Sequence, residues 1–352
     1  MRLFKEKYLL NTIVILVAFA FGFAISRFMD SSKTIIENSK DSCSHIKELF
    51  DTHKLLKRCK QDERVLAFLR KGGEYFPDYE NPRTLNDKIG YILRNYFQKS
   101  PVTKCIGNKY HAKKYVADTV GMDHVVKLFG VWDNPEDIEW NKLPNRFVLK
   151  AVRGHFGRQV ILIKDKSKLD IPETIKKLKE FCQTPGMKWT TKKRIIAEEY
   201  LEQPNGYPVI DYKFFCSHGN VIVAYCLADS GTKTHDADER TLSFYTIPEW
   251  KKLPILIDDN QQNSIHMPKH LAKMIDLTEK LSKPFPLIRI DLYEIGNRIL
   301  VGELTEDADG AKYIFSPVIW DFKLGEMIDV PSLDEIEKMI EKDKKKYGNL
   351  EI

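Results

Sequence analysis

Residues 287–305 place charged side chains within two strongly apolar runs, and this combination limits the available folds more than any other feature. Leu287, Ile288, Ile290 and Leu292 are interleaved with Arg289 and Asp291, while Ile299, Leu300 and Val301 lead into Glu303 and Thr305. Gly296-Asn297 between the runs reads as a hairpin turn. A strand period of two puts Arg289 and Asp291 on one face, and Glu303 and Thr305 likewise on one face. Pairing the two strands brings the carboxylates together. Charge on a buried strand must be paired or bound to an ion. Two adjacent carboxylates suit a hard cation, and Mg²⁺ with bound phosphates satisfies them. The alternative is a ladder of surface charge.

The rest of the chain supplies a frame for such a hairpin. Helical spacing predicts helices over 56–72, from Leu85 onward, over 108–120, 171–181 and 271–281. Strands are expected at 125–132, at 147–149 with a return at 160–163, at 195–201, and as a hairpin of 211–215 with 221–227 around His218-Gly219-Asn220. Strands dominate the middle and helices flank it, which is an α+β arrangement. Of the 352 residues 43% are hydrophobic and 30% charged, a globular composition that excludes disorder. A net charge of +6 without a dense basic block disfavours nucleic acid. Lys342, Lys344, Lys345 and Lys346 read as the wet face of a last helix. No cysteine pair forms C-x-x-C; Cys43 with Cys59 is a candidate disulfide, and six free thiols are the alternative.

Two further clusters carry chemistry. Lys150 ends an apolar strand and is followed by Arg153, Gly154, His155, Phe156 and Gly157. A cation beside a glycine turn with free N–H groups suits a polyphosphate. Glu198-Glu199-Tyr200-Leu201 ends another strand, where a carboxylate could meet a ribose and the backbone an adenine edge.

Lys109, FVLK at 147–150, the glycine turn, AEEYL at 197–201, DYKFF at 211–215, IRIDLYE at 288–294 and GELT at 302–305 follow one another in an order that resembles the TupA-like ATP-grasp family, over roughly residues 80–328. The resemblance implies an ATP-grasp fold, two α+β lobes gripping ATP, with Mg²⁺ as cofactor. It implies that Lys109, Lys150, Gly154 and Gly157 meet phosphates, that Glu198 and Leu201 hold the adenine and ribose edge, and that Lys213 faces the nucleotide. Asp291, Glu303 and Thr305 would bind Mg²⁺, and Arg289, with Lys150, would act on the transferred phosphoryl group. The expected reaction is carboxylate–amine ligation through an acyl phosphate, on a glycan or small-molecule carboxylate acceptor of cell-surface polysaccharide synthesis. The chain departs from the family pattern at Thr305 (Asn expected), Asn108 (Asp expected), Lys113 (Arg expected) and the acidic stretch 306–310.

Leu9–Ser26 contains no charged residue. At 1.5 Å per residue it spans about 27 Å, close to a bilayer core. Arg2, Lys5 and Lys7 precede it, which predicts a signal anchor with the N-terminus cytoplasmic. Residues 27–55 then form a polar stalk and 56–352 an extracytoplasmic, lumenal catalytic domain. A cleaved signal peptide, with Ala18-Phe19-Ala20 as its site, is the alternative. ATP can be delivered to a secretory lumen by transport; in a bacterium the reversed orientation is the one expected. An anchor, a stalk and a distal domain also describe glycosyltransferases, and Asp236-Ala237-Asp238 and Asp307-Ala308-Asp309 both read D-x-D. A sugar kinase on the same fold would share the ATP site, and a domain that only binds a glycan or a protein would need no chemistry there at all.

Overall fold

Alternating apolar residues in the middle of the chain build two antiparallel sheets. The structure is a computed structural model; it describes residues 63–153, 159–183, 192, 194–204, 206–229, 240–257 and 264–348. The proposed anchor, the stalk, Cys43 and Cys59 lie outside the described residues. Among the described residues no helix is long and apolar enough to cross a membrane, and Cys105, Cys182, Cys216 and Cys226 are free thiols.

The smaller sheet contains β1 (Leu128–Trp132), β2 (Phe147–Ala151), β3 (Val160–Ile163) and β4 (Ile195–Glu199), in the order β1-β4-β2-β3. The larger contains β5 (Ile210–Ser217), β6 (Asn220–Asp229), β7 (Arg240–Tyr245) and β8 (Lys252–Leu253). After the short β9 (Leu256–Ile257) it is completed by β10 (Ile288–Ile295) and β11 (Arg298–Thr305), giving the order β11-β10-β5-β6-β7-β8. β9 pairs with β12 (Phe315–Ser316) in a two-stranded ribbon. His218 (φ 47°) and Gly219 (φ 85°) close the β5–β6 hairpin. Both central residues are left-handed, the geometry whose twist matches that of paired strands.

Helices α1 (Glu63–Arg70), α2 (Leu85–Ile92), α3 (Val102–Ile106), α4 (Lys109–Val120), α5 (Ile171–Cys182), α6 (Leu271–Ser282), α7 (Ile319–Glu326) and α8 (Leu333–Tyr347) cover the sheets. Their ends are written locally. Thr84 and Asp87 form a reciprocal cap at α2, and Ser332 with Glu335 does the same at α8. Asn108 accepts from the Tyr110 and His111 amides to start α4, and Gly121 (φ 102°) ends it. α5 packs on the small sheet through Leu178, against Phe147, Leu149, Ile163 and Ile195. The large sheet carries the main core, in which Phe214, Phe244, Ile290 and Leu292 are fully buried with Met274 and Leu281 of α6.

Two predicted boundaries differ from what is found, each for a tertiary reason. The run 125–132 is divided between the sheets: Val125 bridges to Val301 of the large sheet, His124 bonds the Ile299 carbonyl at 2.8 Å, and β1 begins only at Leu128. The run 195–201 ends as a strand at Glu199, because its partner β2 begins opposite it at Phe147; Tyr200 beyond lies under the Arg146 guanidinium at 4.7 Å.

Candidate active site

The site is built where α4 passes between the two sheets. α4 packs on the large-sheet core through Ala112, Tyr115 and Val116, and the Lys109 amide bonds the Val152 carbonyl of the small-sheet lobe at 2.8 Å. Lys109 and Lys113, four residues apart, share one helix face. They reach different sheets. Lys109 Nζ lies 2.7 Å from Glu303 Oε1 of β11. Lys113 Nζ lies 2.8 Å from Glu198 Oε1 of β4 and donates to the Val126 carbonyl. The second oxygen of Glu198 takes Lys150 Nζ at 2.6 Å.

On the large sheet, strand register aligns the charges in a row. Asp291 stands opposite Glu303 on one side and opposite Lys213 on the other, and Arg289 stands opposite Thr305. Arg289 donates to both oxygens of Asp291 (2.7 and 2.8 Å) and to the Thr305 hydroxyl at 3.1 Å, and Glu303 lies 3.7 Å away. Lys213 is held between Asp211 and Asp291. Arg289, Asp291, Glu303 and Thr305, expected together from sequence, are therefore together.

Burial and pairing set the charge states. Burial works to neutralise Glu198, but Lys150 and Lys113 outweigh it and hold the carboxyl at about 2. Burial likewise opposes the charge on Glu303, yet Lys109 and Arg289 hold that group at about 2 as well. Burial disfavours the Lys150 ammonium, but Glu198 raises it above the usual lysine value, whereas at Lys113 burial wins and the shift is downward. Glu306 rises to about 7 through burial, helped by Asp307 and Glu303, with Arg153 only partly opposing the shift.

Lys109, Lys113, Arg153, Glu198, Glu303 and Thr305 line a cavity of about 80 Å³. That is smaller than an ordinary ligand site, because the lysines fold onto the carboxylates. Of the oxygen set expected for Mg²⁺, Glu303 is 37% exposed and lines the cavity with Thr305, while Asp291, opposite Glu303 in register, is buried with both oxygens taken by Arg289 and Lys213 and would have to exchange those partners to reach the ion. Among the described residues no three His, Cys, Asp or Glu side chains converge as a metal cage, so Thr305 would have to be the third protein ligand.

Other expected residues are not seen at this cavity in the expected roles. Gly154 and Gly157 lie outside the described residues. Glu198 is expected at the adenine and ribose edge, yet both its side-chain oxygens are engaged by lysines. Leu201 does not line the cavity and packs instead with Val126, Ile295 and Leu300. Sequence reasoning gives no role to Lys113, Asp211 or Glu306. The four-residue spacing from Lys109 and the two-residue spacing from Lys213 are the available signals for the first two; only folding brings Glu306 to the cavity.

Two facing α+β lobes with lysines and carboxylates clustered between them define an ATP-grasp architecture. A family model for TupA-like ATPgrasp matches residues 87–329, and the chain belongs to that family. No curated protein matches the sequence. Similar solved structures include an L-amino acid ligase from Bacillus licheniformis (16% identity, 60% of this chain and 43% of that one, TM-score 0.37). A biotin carboxylase from Campylobacter jejuni is similar at 14% identity, 66% and 49% coverage and TM-score 0.38. A D-alanine–D-alanine ligase from Bacillus anthracis is similar at 15% identity, 70% of both chains and TM-score 0.38. The chain spans less than half the length of the first two.

Proposed function

We propose that the protein is an ATP-dependent ligase that joins a carboxylate to an amine, one of them carried by a cell-surface glycan. One observation carries the reading: the row Lys213–Asp291–Glu303 in strand register, with Arg289 and Thr305 beside it, Lys109 paired to Glu303, and Lys150 held on Glu198 of the other sheet. Family membership supports it.

The chain's own groups fit the chemistry. Lys109 and Lys150 exchange their carboxylate partners for phosphate oxygens as ATP enters, a charge-assisted swap that keeps each lysine paired. Asp291, Glu303 and Thr305 would hold Mg²⁺, which supplies positive charge against the β- and γ-phosphates. The substrate carboxylate bonds to the γ-phosphorus while the bond to the ADP oxygen breaks. Arg289, rigidly held by Asp291, faces the charge on the transferred group. The amine then bonds to the acyl carbon, phosphate leaves, and the nitrogen loses a proton. The protein contributes positioning and preorganised charge.

A sugar kinase would use the same ATP site with a hydroxyl acceptor. The nucleotide-sugar reading has less behind it: Asp236 and Asp238 lie outside the described residues, and Asp309 is tied to Lys71 at 3.1 Å. We also propose that 9–26 is a signal anchor holding the domain beyond a membrane; release of the full chain by alkaline carbonate would refute that.

The test is thermal denaturation with Mg²⁺ and ATP, UDP-GlcNAc or GDP-mannose. Ligand at about 100 times its dissociation constant adds about 2.7 kcal/mol. Stabilisation by Mg-ATP that disappears in Asp291→Asn and Glu303→Gln is expected. Stabilisation by a nucleotide sugar alone overturns the reading.

A further inference from the structure

The trio Lys113–Glu198–Lys150 joins the two lobes through one buried carboxylate. Glu198 is 4% exposed, and the side chains of Lys113 and Lys150 are 14% and 19% exposed. Each oxygen of Glu198 serves a lysine from a different lobe. Lys150 comes from β2, the neighbour of β4 in the small sheet, with Glu198 opposite Val148. Lys113 comes from α4, whose apolar face belongs to the large-sheet core. One turn earlier on the same helix, Lys109 pairs with Glu303 of the large sheet. A single helix thus spaces the acidic groups of the two sheets with two of its lysines.

We propose that Lys113 is a positioning residue for nucleotide binding: it neutralises Glu198 so that Lys150 is free to turn to the phosphates. The inference rests on the reading of this site as an ATP site, but assigns a task to a residue that the reading leaves idle. Two lysines and one glutamate carry one net positive charge. When Lys150 leaves Glu198 for a phosphate, Lys113 remains and the buried carboxylate keeps a partner. Without Lys113, Lys150 becomes the only neutraliser of Glu198, and moving it would strand an unpaired buried charge. Lys113 is well suited to staying put. Its ammonium also donates to the Val126 carbonyl at 2.8 Å, which anchors it on the loop leading into β1. Lys113 pairs with Glu198 rather than with the carboxylates of β10–β11, so its effect should fall first on nucleotide binding.

The experiment compares wild-type protein with Lys113→Met, Lys113→Gln and Lys113→Arg, using calorimetric binding of Mg-ATP and of adenosine, plus steady-state kinetics once an acceptor is known. The expected result is a loss of at least about tenfold in ATP affinity in the Met and Gln variants, because moving Lys150 to the phosphates then strands the buried Glu198 carboxylate. Adenosine affinity should be unchanged within twofold, and the Arg variant should recover most of the ATP affinity. KM for ATP should rise, and kcat should fall by less than KM rises. Equal losses for adenosine and ATP would mean that Lys113 only holds the lobes together, and would overturn the proposal. So would ATP binding by the Met or Gln variant within twofold of wild type. If Met fails to fold, the Gln variant, which can still donate to Val126, gives the same decision. Absence of ATP binding by wild-type protein refutes the underlying ATP-site reading instead, so the two failures are distinguishable.

Discussion

Replacing Glu198 by Gln tests the electrostatics of the site without any substrate. The carboxyl is held at about 2, against an ordinary 4.5, by Lys150 and Lys113 despite nearly complete burial. At 1.36 kcal/mol per pH unit, that depression stabilises the folded state by about 3 kcal/mol near neutrality. The folded value lies below the unfolded one, so the contribution is fully present above about 4.5 and is lost as the pH falls through about 2. Glu198→Gln should therefore unfold at lower denaturant at pH 7, by about 3 kcal/mol. The gap to wild type should shrink on acidification, to under half by pH 3, because the wild type alone loses this term. Guanidinium titrations of both proteins from pH 3 to 7, followed by tryptophan fluorescence, measure it. A gap that stays constant across this range would mean that the loss is one of packing, and the ion-pair argument would fail. A variant as stable as wild type at pH 7 would refute it outright.

Two further substitutions probe groups outside the cluster. Tyr75 donates to Asp321 at 2.6 Å and contacts the Thr84 hydroxyl at 2.8 Å, while the Asn86 side chain also donates to Asp321; Tyr75→Phe removes a bond to a buried carboxylate and should cost about 1–3 kcal/mol in a denaturant titration, whereas no change would show that the hydroxyl is dispensable. Asp309→Asn breaks only the partly exposed pair with Lys71 and should lower stability by under about 1 kcal/mol with Mg-ATP affinity unaltered in calorimetry; loss of nucleotide-sugar binding in that variant would revive the D-x-D motif as a metal site.

The hairpin 287–305 was readable because its pattern is local. Alternation set which side chains share a face, and Gly296-Asn297 set the turn. The helix α4 followed from a helical repeat, and only the family likeness singled out Lys109 on it. The strand β7 was missed because its alternating run is short and follows a polar stretch; pairing with β6 makes it a strand. α7 was missed because Gly325 and the neighbouring Pro317 blur its pattern, yet Gly325 is there so that the Arg83 backbone can approach, since a Cβ would meet that carbonyl oxygen at 2.1 Å.

Periodicity, caps and turns are interactions between residues a few positions apart, so the chain's order alone fixes its helices, its hairpins and the sign of each charge. Which charges become partners is a long-range matter. Glu198 looks like a solvated strand end until α4 brings Lys113 across from the other lobe, and Glu306 looks like one more surface acid until folding places it in one cavity with Arg153. The pairing energy of a carboxylate depends on how far water is excluded and on which cation lies within about 3 Å. Both quantities exist only once the two sheets have closed on the helix between them.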